Sequence, residues 1–139
     1  MRRRCWATRR SARSYVHGPR SSPRRGSLPP RDDCLFCKLA TSGTHVHAAD
    51  GFVAIDDINP KAPVHILVLP ERHVDTFRDV SEFGDAEAKR MLEFVAETAK
   101  HAGLTDYRIV VNVGATAGQT VFHLHWHILG GETMTEGEL

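Results

Sequence analysis

At 139 residues, 41% of them hydrophobic, the chain is one domain's worth and can bury a respectable core. No apolar run approaches the roughly 20 residues of a membrane-spanning helix, and three cysteines make no disulfide framework, so a reducing, cytoplasmic setting is expected. The net charge of +1 hides an asymmetry: residues 1–33 hold ten Arg against Asp32 and Asp33, so of the 18 basic and 17 acidic residues the remainder keeps 8 and 15, a balance of −7 against +8.

Residues 1–31 are Arg-, Ser- and Pro-rich without sustained apolar periodicity, a composition that cannot bury enough surface to offset ordering entropy, and disorder is expected there. An inert extension, its start placed too far upstream, is the favoured reading. A mitochondrial transit peptide comes next, weakened by Gly18-Pro19 and Pro29-Pro30, which oppose a long targeting helix. Binding of nucleic acid or anionic lipid through the arginines is a third reading, and the acidic remainder of the chain speaks against nucleic acid.

Asp33-Cys34-Leu35-Phe36-Cys37 opens the domain, which is expected to run over 32–131. Its C-x-x-C pair is ambiguous between zinc, a redox dithiol and two buried thiols. His73 and His123 are further nitrogen donors, so a tetrahedral zinc site of two cysteines and two histidines is chemically sensible. Val46–Ala49, Phe52–Ile55 and His65–Leu69 read as strands, with Asp50-Gly51 a strong hairpin turn between the first two. His45 and His47 also alternate and read as exposed strand residues. Asn59-Pro60-Lys61-Ala62-Pro63 is a loop, because its prolines exclude ladder hydrogen bonds.

Residues 85–102 carry the strongest helical period, through Ala88, Met91, Leu92, Val95, Ala99 and Ala102. Asp85 or Ser81 is the expected N-cap and Gly103 the stop. Tyr107–Val113 reads as the fourth strand. Gly114-Ala115-Thr116-Ala117-Gly118 is a small, flexible connection that can bring backbone N–H groups to an anion, a weak signal by itself.

Val121–Leu129 reads as the fifth strand. Within it His123, His125 and His127 alternate with Leu124, Trp126 and Ile128, the two-residue period that puts the histidines on one face and the apolar residues on the other. Gly130-Gly131 then ends the strand. Imidazoles at i and i+2 can share a zinc ion, or one can act as a nucleophile flanked by helpers, because a neutral imidazole is nucleophilic near its ordinary pKa of about 6.5. An ordinary half-buried strand with hydrogen-bonded histidines is the competing reading. Three in register between Gly-Gln-Thr and Gly-Gly make it the weaker one.

His123-Leu124-His125-Trp126-His127-Ile128-Leu129 resembles the histidine triad (HIT) pattern, in which three histidines alternate with apolar residues. Asp56–His73 looks like that family's hairpin and Tyr107–Asn112 like its penultimate strand. The resemblance covers about residues 33–131 and is closest to the Hint branch of nucleotide phosphoramidases. It implies an α+β fold: a five-stranded antiparallel sheet with a main helix packed on one face, paired into a homodimer around that helix and the fourth strand. It implies cleavage of nucleoside 5′-phosphoramidates, or related purine nucleotide derivatives, through a nucleotidyl-histidine intermediate.

By resemblance His125 is the nucleophile and His127 binds the phosphate, while Asn112, Gln119 and Thr120 line the site, with Thr120 near the leaving group. Asp57 holds the ribose hydroxyls, an acid whose bland alternative is a turn cap. Ile58 and Phe36 meet the nucleotide, and His65 is a pocket residue. Cys34, Cys37, His73 and His123 are carried over as structural zinc ligands, with no organic cofactor implied. Residues 132–139 form a flexible acidic tail lacking the Trp-Pro-Pro-Gly ending of close Hint relatives. The alternatives are a dinucleoside polyphosphate hydrolase, as in the Fhit branch, and a non-catalytic nucleotide- or zinc-binding regulatory module.

Overall fold

A computed structural model of the chain describes residues 29–136. The expectation of disorder for residues 1–31 lies, for 1–28, outside the described residues, as does the end of the acidic tail. In chain order the elements are α1 (Leu35–Ser42), β1 (His47–Ala49), β2 (Phe52–Asp56), β3 (Val64–Pro70), a 3₁₀ segment (Phe77–Glu82), α2 (Asp85–His101), β4 (Tyr107–Val110), a second 3₁₀ turn (Ala115–Ala117) and β5 (Trp126–Gly130). The five strands form one antiparallel sheet in the order β1-β2-β3-β5-β4. Neither helix is long and apolar enough to cross a membrane.

The hairpin between β1 and β2 turns at Asp50 (φ 54°) and Gly51 (φ 84°), the pair of positive φ angles that a type I′ turn requires. Arg90 on α2 ties this turn down, its Nε 2.6 Å from Asp50 and its other nitrogens 2.8 and 3.0 Å from Glu97.

α2 keeps the helical period, burying Met91, Phe94, Val95, Thr98 and Ala99, but Leu92 of the expected apolar stripe is exposed and Phe94 takes its place in the core. Its N-cap is Gly84, with no side-chain bond, rather than Asp85 or Ser81; Asp85 is the first helical residue and faces the helix dipole instead. At the other end the N–H groups of Gly103 and Leu104 reach Lys100 O and Ala99 O, a Schellman closure.

Parity along the strands sorts the core into two clusters. Phe52, Ala54, Ile66, Val68, Leu124, Trp126 and Ile128 pack with Met91, Phe94, Val95 and Ala99 of α2. Val53, Ile55, Leu67 and Leu69 point the other way and pack with Cys34, Phe36, Cys37 and Ala40 of α1. His65 shares parity with Leu67, and His127 lies opposite Leu67 in the ladder. Both therefore stand on the α1 face.

Sequence and structure also part company elsewhere. α1 is not among the elements read from the sequence, because a Cys cap and a Thr-Ser ending give little local signal. Cys34 Sγ accepts the Cys37 N–H at 3.4 Å, and burial of Phe36, Cys37 and Ala40 holds the element. β4 stops at Val110 rather than Val113, and β5 starts at Trp126 rather than Val121. Extending the β3–β5 register would set residue 124 against Pro70, which has no N–H to give. Residues 121–123 bend instead, and 124–125 lie outside the ladder with Leu124 N–H on Val74 O at 2.6 Å; Leu124 still packs with Trp126 and Ile128. Finally, His47 is not a plain exposed residue: it is half-buried and stacked on Phe94 at 4.8 Å. His45 lies before β1 with Nε2 2.9 Å from Leu39 O.

Candidate active site and metal centre

Two side-chain clusters meet along residues 123–127 on the α1 face. In the first, the ligating atoms of Cys34, Cys37, His73 and His123 all lie within 4.8 Å of one another. Cys37 Sγ is 3.2 Å from His73 Nδ1 and 3.4 Å from His123 Nδ1, and Cys34 Sγ is 3.5 Å from His123 Nδ1. A tetrahedral zinc with bonds of about 2.3 Å to sulfur and 2.0–2.1 Å to nitrogen sets sulfur and nitrogen about 3.6 Å apart. Each ring turns its other nitrogen to a fixed acceptor. His73 Nε2 donates to Asp75 Oδ1 at 2.6 Å and His123 Nε2 to Pro70 O at 2.7 Å. Both Nδ1 lone pairs are thereby left for a metal, the outer bonding that metal-binding histidines require. The donor set fits zinc. Burial pushes the Cys37 thiol up and the His123 imidazole down to about 4, and a cation among the four donors would reverse the thiol's preference.

The second cluster lines a cleft of about 600 Å³ walled by Leu35, Phe36, Leu39, Ile55, Leu67 and Val110 at its apolar side. Asp57, Ile58, His65, Asn112, Thr120, His125 and His127 also face it, so the structure brings these expected residues together. Ile58 stands at the rim, 90% exposed, whereas Phe36 lies deep, edge-on to His125 at 4.9 Å. A cleft of about 680 Å³ between 103–108 and 129–134 carries no histidine or cysteine. There Arg108 Nη2 reaches Thr135 O at 2.7 Å, seating residue 135 of the expected acidic tail.

Hydrogen bonds fix every tautomer in the second cluster. His123 O can only accept, so His125 carries its proton on Nδ1 (2.7 Å) and keeps a lone pair on Nε2, which has no hydrogen-bond partner among the described residues. The Lys61 N–H donates to His65 Nδ1 at 3.0 Å, so His65 Nε2 holds the proton and gives it to His127 Nδ1 at 2.8 Å. His127 must then carry its own proton on Nε2, a buried donor with no partner among the described residues. The nearby Asp57 Oδ2, 3.4 Å from His65 Nε2, is the longer contact, and Asp57 Oδ1 caps its turn by accepting the Asn59 N–H at 2.8 Å. Asp57, His65 and His127 also cluster closely enough to suggest a cation. A metal on His65 Nε2 would collide with the tautomer that Lys61 imposes, so these three form a hydrogen-bond relay.

None of residues 114–118 lines the cleft. The N–H groups of Gly114, Ala117, Gly118 and Gln119 are spent on Gln119 Oε1, Gly114 O, Ala115 O and Gly114 O. Gln119 is 3% exposed, does not line the cleft, and gives its amide N–H groups to Asp75 O and Val121 O. It braces the turn against Asp75, the partner of His73. Asp75 was missed in the sequence; its signal was the alternation His73-Val74-Asp75 around the fully buried Val74.

Burial lowers the pKa of His65, His125 and His127, the last to about 4, with neighbouring imidazoles adding to the effect on His127. These three imidazoles are therefore neutral near pH 7. An unfolded imidazole protonates near 6.5, so between about 6.5 and 4 the unfolded chain binds the extra protons. Stability is full above that window and lost progressively as pH falls through it. The thermal midpoint is expected to drop steadily from about pH 6.5 to about pH 4. A midpoint flat across that window would show that these histidines are not held neutral.

The HIT domain family matches residues 40–134 of this chain. Protein HitA of Neisseria gonorrhoeae is 39% identical over 103 residues, 71% of this chain and 96% of that protein. The purine nucleoside phosphoramidase of Escherichia coli K12 is 36% identical over 91 residues, 64% of this chain and 76% of that enzyme. The solved structure of a histidine triad protein from Clostridium difficile aligns with a TM-score of 0.67 at 38% identity, covering 76% of this chain and 96% of that one.

Proposed function

The chain belongs to the HIT domain family, and from that premise we propose that it is a hydrolase of nucleoside 5′-phosphoramidates or related purine nucleotide derivatives, working through a nucleotidyl intermediate on His125. The observation that carries this reading is the tautomer pair. His125 Nε2 holds a free lone pair, while the adjacent His127, ring centroids 5.0 Å apart, holds an unpartnered buried N–H. One nitrogen is set to attack, the other to donate to an anion.

In the proposed reaction His125 Nε2 attacks the α-phosphorus. The phosphorus–nitrogen bond breaks, and the amine departs with a proton on the side lined by Thr120. Water then attacks phosphorus, the bond to Nε2 breaks, and His125 is regenerated with release of the nucleoside monophosphate. The Nδ1–H bond to His123 O supports the imidazolium-like charge of the intermediate. His127 Nε2–H, with Asn112 and Thr120, stabilises charge gathering on the phosphate oxygens, a task that rewards donors already in position. A buried N–H without a partner costs about 1–3 kcal/mol, which a bound phosphate oxygen recovers. Asp57 accepts the ribose hydroxyls beside its turn bond, and Ile58, Leu35 and Phe36 supply the apolar wall for the base.

Cys34, Cys37, His73 and His123 hold a zinc ion whose contribution is to cross-link the chain, since four protein ligands leave no open position. Two copies pair around α2 and the β4 edge, where Leu92 of α2 and Tyr107 and Ile109 of β4 stay exposed at 56%, 37% and 44%. Two reduced buried thiols suit the cytoplasm.

The test is release of AMP from adenosine 5′-phosphoramidate, beside a diadenosine polyphosphate. Turnover of the first well above the enzyme-free rate, and faster than the second, is expected. Binding of AMP without turnover of either would replace the enzyme by a nucleotide-binding module.

A further inference from the structure

We propose that Cys34 and Cys37 form a peroxide-reactive dithiol whose closure to a disulfide dismantles the metal centre and disarms His125. Only the last clause rests on the proposed hydrolase. Three features carry it.

The two sulfurs sit three residues apart at the start of α1, within 4.8 Å of each other, and Cys34 Sγ already leans over the first turn to accept the Cys37 N–H. They can meet without unfolding the element. Access is unequal: a cleft of about 460 Å³, lined by Arg31, Cys34, His73, Asp75 and Phe122, leads to Cys34, which is 9% exposed against 1% for Cys37. A molecule the size of a hydroperoxide reaches Cys34 first and finds Cys37 behind it as the resolving thiol.

The pair is also wired to the nucleophile twice. His123 is a ligand through Nδ1 and, through its carbonyl, the acceptor that sets the His125 tautomer. Phe36, between the two cysteines, packs edge-on to His125 at 4.9 Å and touches His123 at 6.2 Å. Losing the metal frees the His123 ring and α1 together, and so loosens the bond that keeps Nε2 of His125 unprotonated.

The Cys34 thiolate attacks one peroxide oxygen; the O–O bond breaks, giving a sulfenic acid and hydroxide. The Cys37 thiolate then attacks Cys34 Sγ, forming the S–S bond and expelling a second hydroxide. Two sulfurs give up two electrons, one peroxide takes them, and two protons complete two waters. The centre loses two of its four donors. A dithiol reductant reverses the exchange.

Cys5 is the chain's third thiol, so the experiment uses zinc-loaded Cys5→Ser protein titrated with hydrogen peroxide. Zinc release is read with a chromogenic chelator, thiols by titration, mass by spectrometry and AMP release alongside. We expect one zinc freed and two thiols lost per peroxide consumed, and a mass lower by about 2 Da. Turnover should fall about 10–100-fold, the range for losing a ligand-orienting contact, and return with dithiol and zinc. Zinc retained with both thiols intact in excess peroxide overturns the proposal. So does a mass gain without a cross-link, and so does zinc release that leaves turnover unchanged. If the reduced, zinc-loaded protein never turns over phosphoramidate, the hydrolase reading fails, while zinc release and thiol count still decide the dithiol.

Discussion

His125→Ala is expected to lower kcat/KM on adenosine 5′-phosphoramidate by at least about 10⁴-fold, because the covalent route disappears with its nucleophile and only binding and charge stabilisation remain. The effect is separable from folding. The His125 ring is not a metal donor; it contacts Phe36 and His127 and gives one bond to His123 O. Zinc content and AMP affinity should stay within about threefold of the parent, a change below 1 kcal/mol. His127→Ala provides the contrast: it deletes one donor and should cost about 10²–10³-fold in kcat, as loss of a single charge-stabilising group does. Parallel steady-state kinetics and AMP titrations check both. Retention of most activity by His125→Ala would end the covalent mechanism, and His127 or water would have to be reconsidered as the attacking group.

Removing the metal should produce the largest change in stability. A ligand that binds only the folded state at about 1,000 times its dissociation constant adds about 4 kcal/mol, and for a domain of this size 1 kcal/mol moves the midpoint by about 4 °C. A strong chelator is therefore expected to lower the melting midpoint by roughly 15 °C. The fold gives a reason for so large a share. α1 has eight residues, too few to hold as an isolated helix, and its grip on the sheet is a short list of buried side chains that includes both cysteines. Cys37→Ala should melt near the chelated parent and be insensitive to chelator. The same sulfur–nitrogen distances suit S–H···N hydrogen bonds, and the chelator separates the two arrangements. A parent whose midpoint does not move, and which carries no metal as purified, has two reduced core thiols and no zinc.

Much of this was legible in the chain because it is local. Asp50-Gly51 specifies its turn by the φ angles those residues tolerate. α2 announces itself by the spacing from Ala88 to Ala102, and Gly130-Gly131 marks where β5 ends. The alternation around His125 survives where the ladder does not: Leu124 packs with Trp126 and Ile128 towards α2, while His123 and His125 turn towards α1. The resemblance to the histidine triad pattern named the residues that now share one cleft. It also drew Gln119 into that group, and there the structure differs: its amide is spent on Gly114 N–H, Val121 O and Asp75 O, a use that depends on where Asp75 arrives in space.

What the sequence determined by itself was which face each side chain would take, because a period of two or 3.6 residues is set by the backbone alone. What only the tertiary structure decided was which faces meet. Cys34 and His123 touch across 89 positions, and Lys61 reaches His127 through His65 across 66, because the order β1-β2-β3-β5-β4 lays β3 beside β5 with Leu67 against His127. The protonation pattern that arms the cleft follows from those meetings: a tautomer is chosen by the partner on the ring's far side, and no spacing along the chain encodes that partner.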